Sequence, residues 1–116
     1  MHTMNTLKQT SDMTGIGKDT ILYYEKIGLI PPVMRNDIGY RIYNSEFVDM
    51  LNVIACLKKT GMSLENIKKY MQLDTSESRY NMLQDHQTTL EQQMIELQNI
   101  ITIKLKKIKP AKKMEE

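Results

Sequence analysis

Residues 20–43 read TILYYEKIGLIPPVMRNDIGYRIY. A helical run reaches Ile27, and Gly28 stops it. Leu29 and Ile30 lead into Pro31 and Pro32, whose fixed φ and missing donors forbid further helix. Two short extended runs follow, residues 33–35 and 40–43. Between them, Asn36, Asp37, Ile38 and Gly39 are turn residues, so a hairpin is expected. It carries Arg35, Tyr40 and Arg41. A helix followed by a basic hairpin is the order of a recognition helix and its wing. That order points to DNA.

Upstream, Thr6 and Gln9 have capping-box spacing, so a short helix is expected from Leu7 to about Thr14 and Gly15. Ile16 plugs the turn, and a second helix runs from Lys18 to Ile27. Two short helices joined by a Gly-containing turn make a helix-turn-helix candidate. Downstream, Asn44 or Ser45 can cap a helix. Phe47, Met50, Leu51, Ile54 and Leu57 form its apolar face. Gly61 ends that helix. Ser63 caps the next, with Met62 and Ile67 at the positions of a hydrophobic staple and Leu64, Ile67 and Met71 facing inward.

From Ser76 the period changes. Leu83, Leu90 and Leu97 recur every seven residues, and Gln87, Met94, Ile101 and Ile108 form the second seam. This is a coiled-coil pattern, and so long a stripe wants a partner helix. The expected divisions are a DNA-binding domain over 1–75, a dimerisation helix over 76–109 and a charged tail over 110–116. The expected fold class is mainly α: a winged helix-turn-helix followed by a long helix.

The bulk properties narrow the function. A chain of 116 residues suits one modest domain with an appendage. Its formal charge of +2 is too small for binding through bulk charge, so basic groups must act locally. The single cysteine, Cys56, suits a reducing compartment. The first residues lack the apolar core of a signal peptide, and no apolar run is long enough to span a bilayer. A cytoplasmic location, without membrane association, is expected. Nothing resembles a catalytic cluster or phosphate loop, so neither an enzyme nor a cofactor is expected.

Three motifs in order, MTGIGKDTILYYEKIGLIPP, RNDIGYRIY and LKKTGMSLENIKKYM, resemble the DNA-binding half of the MerR family of transcription regulators. The resemblance covers residues 5–73. It implies a homodimer joined by an antiparallel coiled coil and a palindromic operator in double-stranded promoter DNA. It also implies shared use of that promoter with RNA polymerase, through bending and untwisting of DNA. The chain departs from the family pattern at Leu22, where an Arg is usual, and at Gly17, where Ser or Thr is usual. Asp19 adds an acid at the front of the second helix. No effector domain is expected after the long helix. No Cys lies near its start, and His2 and His86 are far apart, so metal sensing is not expected.

On this reading Lys18, Thr20 and Tyr23 face the major groove, with Tyr24 divided between core and contact. Arg35, Asn36, Gly39, Tyr40 and Arg41 form the wing contacts. An internal ion pair is the alternative role for Arg41. Lys59 and the amides at Ser63 offer a further phosphate site. Ile21, Ile27, Leu29, Phe47, Ile54 and Leu64 are expected in the core.

Cys56 precedes a Lys-x-Thr-Gly-Met run and lies off the apolar stripe, on a face with Asp49, Asn52 and Lys59. This resembles a subgroup of thiol-based aldehyde and electrophile sensors, often called AdhR- or NmlR-like. It implies effector or redox sensing at Cys56. Two alternatives stay open at this point: a regulator with a non-covalent effector or none, Cys56 being structural, and a coiled-coil architectural or interaction protein.

Overall fold

The computed structural model describes residues 4–108. Residue 109 and the expected tail over 110–116 lie outside the described residues. Five helices follow in order: α1 (Leu7–Thr14), α2 (Lys18–Lys26), α3 (Ser45–Lys59), α4 (Leu64–Gln72) and α5 (Ser76–Ile108). The chain divides into two compact units between Leu73 and Asp74.

In the first unit, local chemistry fixes each helix start. Thr6 and Gln9 form the full capping box on α1, with the Thr6 Oγ1 accepting from Gln9 N at 3.1 Å. Asn44 caps α3 by accepting from Phe47 N, and Ser63 caps α4 by accepting from Asn66 N. Gly17 stands at the N-cap of α2 with no side-chain cap. Gly15 leaves α1 in the left-handed region at φ 74°, which costs a glycine little. Hydroxyls then stitch the turn: Ser11 Oγ donates to Ile16 O at 2.6 Å, and Ile16 N donates to Thr14 Oγ1 at 3.3 Å.

Helix α1 packs on α2 and α3, and α3 packs on α4. Their shared core holds Ile16, Ile21, Leu29, Ile30, Tyr43, Leu51, Ile54, Met62 and Ile67. The inward stripe of α3 is Val48, Leu51, Ile54 and Leu57. It is rotated from the expected face, since Phe47 and Met50 are half-buried at its border. Phe47 instead sets its ring edge-on to Tyr43, with centroids 6.1 Å apart. Ile27, Leu64 and Met71 are also half-buried rather than central. Lys68 Nζ donates to Ile27 O at 3.3 Å and so ties α4 to the end of α2.

The hairpin is narrower than two strands. Arg35 and Arg41 form a single antiparallel bridge, and Ile42 N donates to Met34 O at 2.9 Å. It stays short because its neighbours are engaged elsewhere. Val33 N bonds the Glu25 carboxylate, and Tyr43 forms its bridge with Asn5.

The second unit contains α5, which is 33 residues long, or about 50 Å at the usual rise. Thr75 Oγ1 accepts from Ser78 N and opens it. No residue of α5 is buried in the single chain. Leu83, Gln87, Met94, Leu97, Ile101 and Ile108 are exposed and Leu90 is half-buried, so most of the heptad stripe is uncovered. No described helix is long and apolar enough to cross a membrane.

Candidate nucleic-acid interface

Helix α2 presents Lys18, Asp19, Thr20, Tyr23 and Lys26 outward, while Ile21 and Tyr24 are buried. Tyr24, divided between core and contact on sequence grounds, is 5% exposed, so its ring belongs to the core. Burial also raises the pKa of its phenol above the ordinary tyrosine value. Asp19 does not cap α2, since the N-cap residue is Gly17. Its carboxylate stays exposed beside the outward groups.

The wing is held to α2 by Glu25. Its Oε1 accepts from Arg41 Nε at 2.8 Å, and its Oε2 accepts from Val33 N at 3.0 Å. Burial alone would push this carboxyl up. The Val33 amide, the Arg41 guanidinium and the charge of Arg35 outweigh burial and bring its pKa below the ordinary value. Arg41 is therefore fixed by an internal ion pair, the alternative noted from sequence, with about a third of its side chain exposed.

The turn itself is pinned. Asn36 Oδ1 accepts from Ile38 N and Tyr40 N, both at 3.0 Å, and Gly39 N donates to Asn36 O at 2.9 Å. Arg35 Nη1 donates to Gly39 O at 2.9 Å. Gly39 takes φ 98°, which side chains disfavour. Arg35, Asn36, Gly39 and Tyr40 remain exposed.

A groove of about 430 Å³ runs between the wing, Leu22 of α2 and the start of α1. It brings Arg35, Asn36, Gly39, Tyr40 and Arg41 together with Thr6, Leu7 and Lys8. Leu22 supplies an apolar wall where the family pattern has a cation. Sequence reasoning did not single out Lys8 or Glu25. Lys8 is one exposed lysine among several, and Glu25 acts through contacts 8 and 16 positions away. Lys59 and Ser63 flank the turn between α3 and α4, and the Ser63 hydroxyl is engaged as a cap. Cys56 is exposed on α3 between the buried Ile54 and Leu57, on a side with exposed Asp49, Asn52 and Lys59. No group of acidic, His or Cys side chains suited to a metal ion occurs among the described residues.

A helix-turn-helix with a pinned basic wing defines the winged class of DNA-binding modules. Comparison with known proteins narrows this. Residues 6–74 match the profile of the MerR HTH family regulatory proteins, and residues 48–102 match that of the MerR DNA-binding region. The chain belongs to the MerR family. The transcriptional regulator AdhR of Bacillus subtilis is 36% identical over 89 residues, covering 72% of this chain and 64% of that protein. An uncharacterized HTH-type transcriptional regulator of Haemophilus influenzae is 30% identical over 103 residues, covering 84% and 76%. The mercuric resistance operon regulatory protein of Bacillus cereus is 40% identical, but the match spans only 48% of it. Among solved structures, HiNmlR, a MerR family regulator lacking the sensor domain and bound to promoter DNA, matches with TM-score 0.70 and 30% identity. That match covers 86% of this chain and 80% of HiNmlR. The N-terminal part of the Bacillus subtilis multidrug transporter activator, MtaN, shares the fold, with TM-score 0.77 and 24% identity.

Proposed function

We propose that this protein is a cytoplasmic, non-enzymatic transcription regulator that binds a palindromic promoter site as a homodimer. The observation that carries the reading is the wing fixed to α2 through Glu25, which presents Tyr23, Lys18 and Arg35 on one compact unit. Helix α2 enters the major groove with Lys18, Thr20 and Tyr23. Arg35, Asn36, Gly39 and Tyr40 hold the sugar-phosphate backbone, and Arg41 contributes charge from its ion pair. Lys59 and the amides at Ser63 take a further phosphate. Leu83, Gln87, Leu90, Met94, Leu97, Ile101 and Ile108 form the seam with a second copy. The dimer bends and untwists promoter DNA that RNA polymerase also occupies.

The signal acts at Cys56. This is supported by the exposed thiol and by the likeness of residues 56–62 to thiol-based sensors. The thiol adds to an aldehyde carbonyl: an S–C bond forms and the thiol proton passes to the oxygen, giving a hemithioacetal. A promoter reporter tests it. Cys56→Ser removes the response to aldehyde while duplex binding persists; an unchanged response overturns the thiol mechanism. For DNA binding, the test is selection of a duplex from a random-sequence library, followed by titration. The expected outcome is a palindromic consensus bound several orders of magnitude more tightly than unrelated duplex. Equal binding to both would favour a non-specific architectural role.

A further inference from the structure

We propose that Ile38, at the tip of the wing, enters the minor groove next to the major groove occupied by α2 and restricts the base pairs there to A·T. The proposal rests on the DNA-binding reading above. Ile38 is 77% exposed, the highest value of any large hydrophobic side chain among the described residues. It is not on a loose loop. Its own N–H donates to Asn36 Oδ1 at 3.0 Å, and the next residue's N–H closes on Asn36 O at 2.9 Å. The turn backbone is thus ordered before any partner arrives, and Ile38 is held outward. Tyr40, 68% exposed, and Met34, 50% exposed, are further exposed apolar side chains of the same hairpin.

Charge and shape select the partner. Arg35 binds back to Gly39 O and sits beside the tip, so a cation flanks the apolar group. A DNA backbone suits that pair: phosphates for the guanidinium, and deoxyribose with base edges for the side chain. A slender turn with Ile38 at its tip suits the narrow minor groove, where the major groove takes a helix. The wing is bonded to α2 through Arg41 and Glu25, so both elements meet one duplex. Apolar Ile side chains serve elsewhere as minor-groove wedges. In that groove G·C pairs differ from A·T pairs by the guanine amino donor. Ile38 can neither accept that hydrogen bond nor make room for the group, so A·T is favoured.

The experiment repeats the library selection with full-length Ile38→Ala beside the wild type. The expected result is a symmetric pair of A·T-restricted positions in the wild-type consensus that relaxes in the variant. Affinity for the wild-type site should fall by about tenfold, the range of one lost base-pair discrimination. The salt dependence should not change, since an apolar contact releases no counterions. An identical consensus and equal affinity would overturn the proposal. Failure of the wild type to select any consensus would overturn the DNA-binding reading itself, and the proposal with it.

Discussion

The two oxygens of Glu25 divide their work: Oε1 holds Arg41 Nε at 2.8 Å, and Oε2 takes the Val33 N–H at 3.0 Å. One side chain of α2 thereby anchors both ends of the wing. The carboxylate is 18% exposed, so few waters can replace either partner.

This anchor has an acid limb. The folded-state pKa of Glu25 is lowered despite burial, through Val33, Arg41 and Arg35. A lowered folded value gives stability that is present above the unfolded-state value and lost as pH falls through the folded one. Acid unfolding followed by circular dichroism should show this loss in the wild type and not in Glu25→Gln. At neutral pH the substitution should cost about 1–3 kcal/mol, because it leaves Arg41 half-buried without its counter-charge. Equal stability of the two proteins at neutral pH would show that the wing needs no such anchor.

Tyr43 makes the opposite case. Its ring is fully buried, and its hydroxyl has no hydrogen-bond partner among the described residues. Tyr43→Phe removes a desolvated polar atom and keeps the ring against Phe47. Thermal melting should show a gain of up to about 1 kcal/mol. A clear loss would mean that the hydroxyl is satisfied in solution.

At the start of α2, Gly17 has φ −61° and ψ 149°, and a Cβ there would meet only Thr20 Oγ1, at 3.8 Å. Gly17→Ser therefore fits and adds the missing cap. It should raise stability by about 0.5–1 kcal/mol, through the cap and reduced freedom of the unfolded chain. Chemical denaturation measures this directly; a destabilised variant would show that a hydroxyl at this N-cap does not reach the first amides of α2.

Much of the fold was legible because it is local. Thr6 with Gln9, Asn44 with Phe47, and Ser63 with Asn66 are contacts three positions apart, within reach of pattern reading. The Gly28, Pro31 and Pro32 punctuation and the heptads of α5 are local in the same sense. What escaped is long-range. Asn5 reaches Tyr43 across 38 positions, and Lys68 reaches Ile27 across 41. No period or spacing encodes those pairs. The rotation of the α3 stripe toward Val48 has a related cause: α1 and α4 choose which side of an apolar helix is innermost. At the interface, the outward residues of α2 and the wing were readable, while Arg41's tie to Glu25 was one of two readings that only packing could separate.

Arg35 gives a direct electrostatic prediction. It is exposed at the wing and flanks the groove with Lys8. Arg35→Ala should weaken binding to every duplex alike and lower the salt slope by about one, the signature of a lost phosphate contact. An unchanged slope, read from fluorescence anisotropy over a salt series, would remove Arg35 from the phosphate contacts.

The seam on α5 carries the central claim, that two copies grip one duplex. Leu97 is exposed in the single chain and sits in the leucine series. Leu97→Lys would remove two buried leucines per dimer, or about 3–6 kcal/mol of association. The most direct measurement is the mass, by sedimentation, of the complex formed with a duplex selected by the wild type. Two wild-type chains per duplex, and dissociation of both dimer and complex in Leu97→Lys, is the predicted result. A single wild-type chain per duplex, or unaltered binding by the variant, would contradict it.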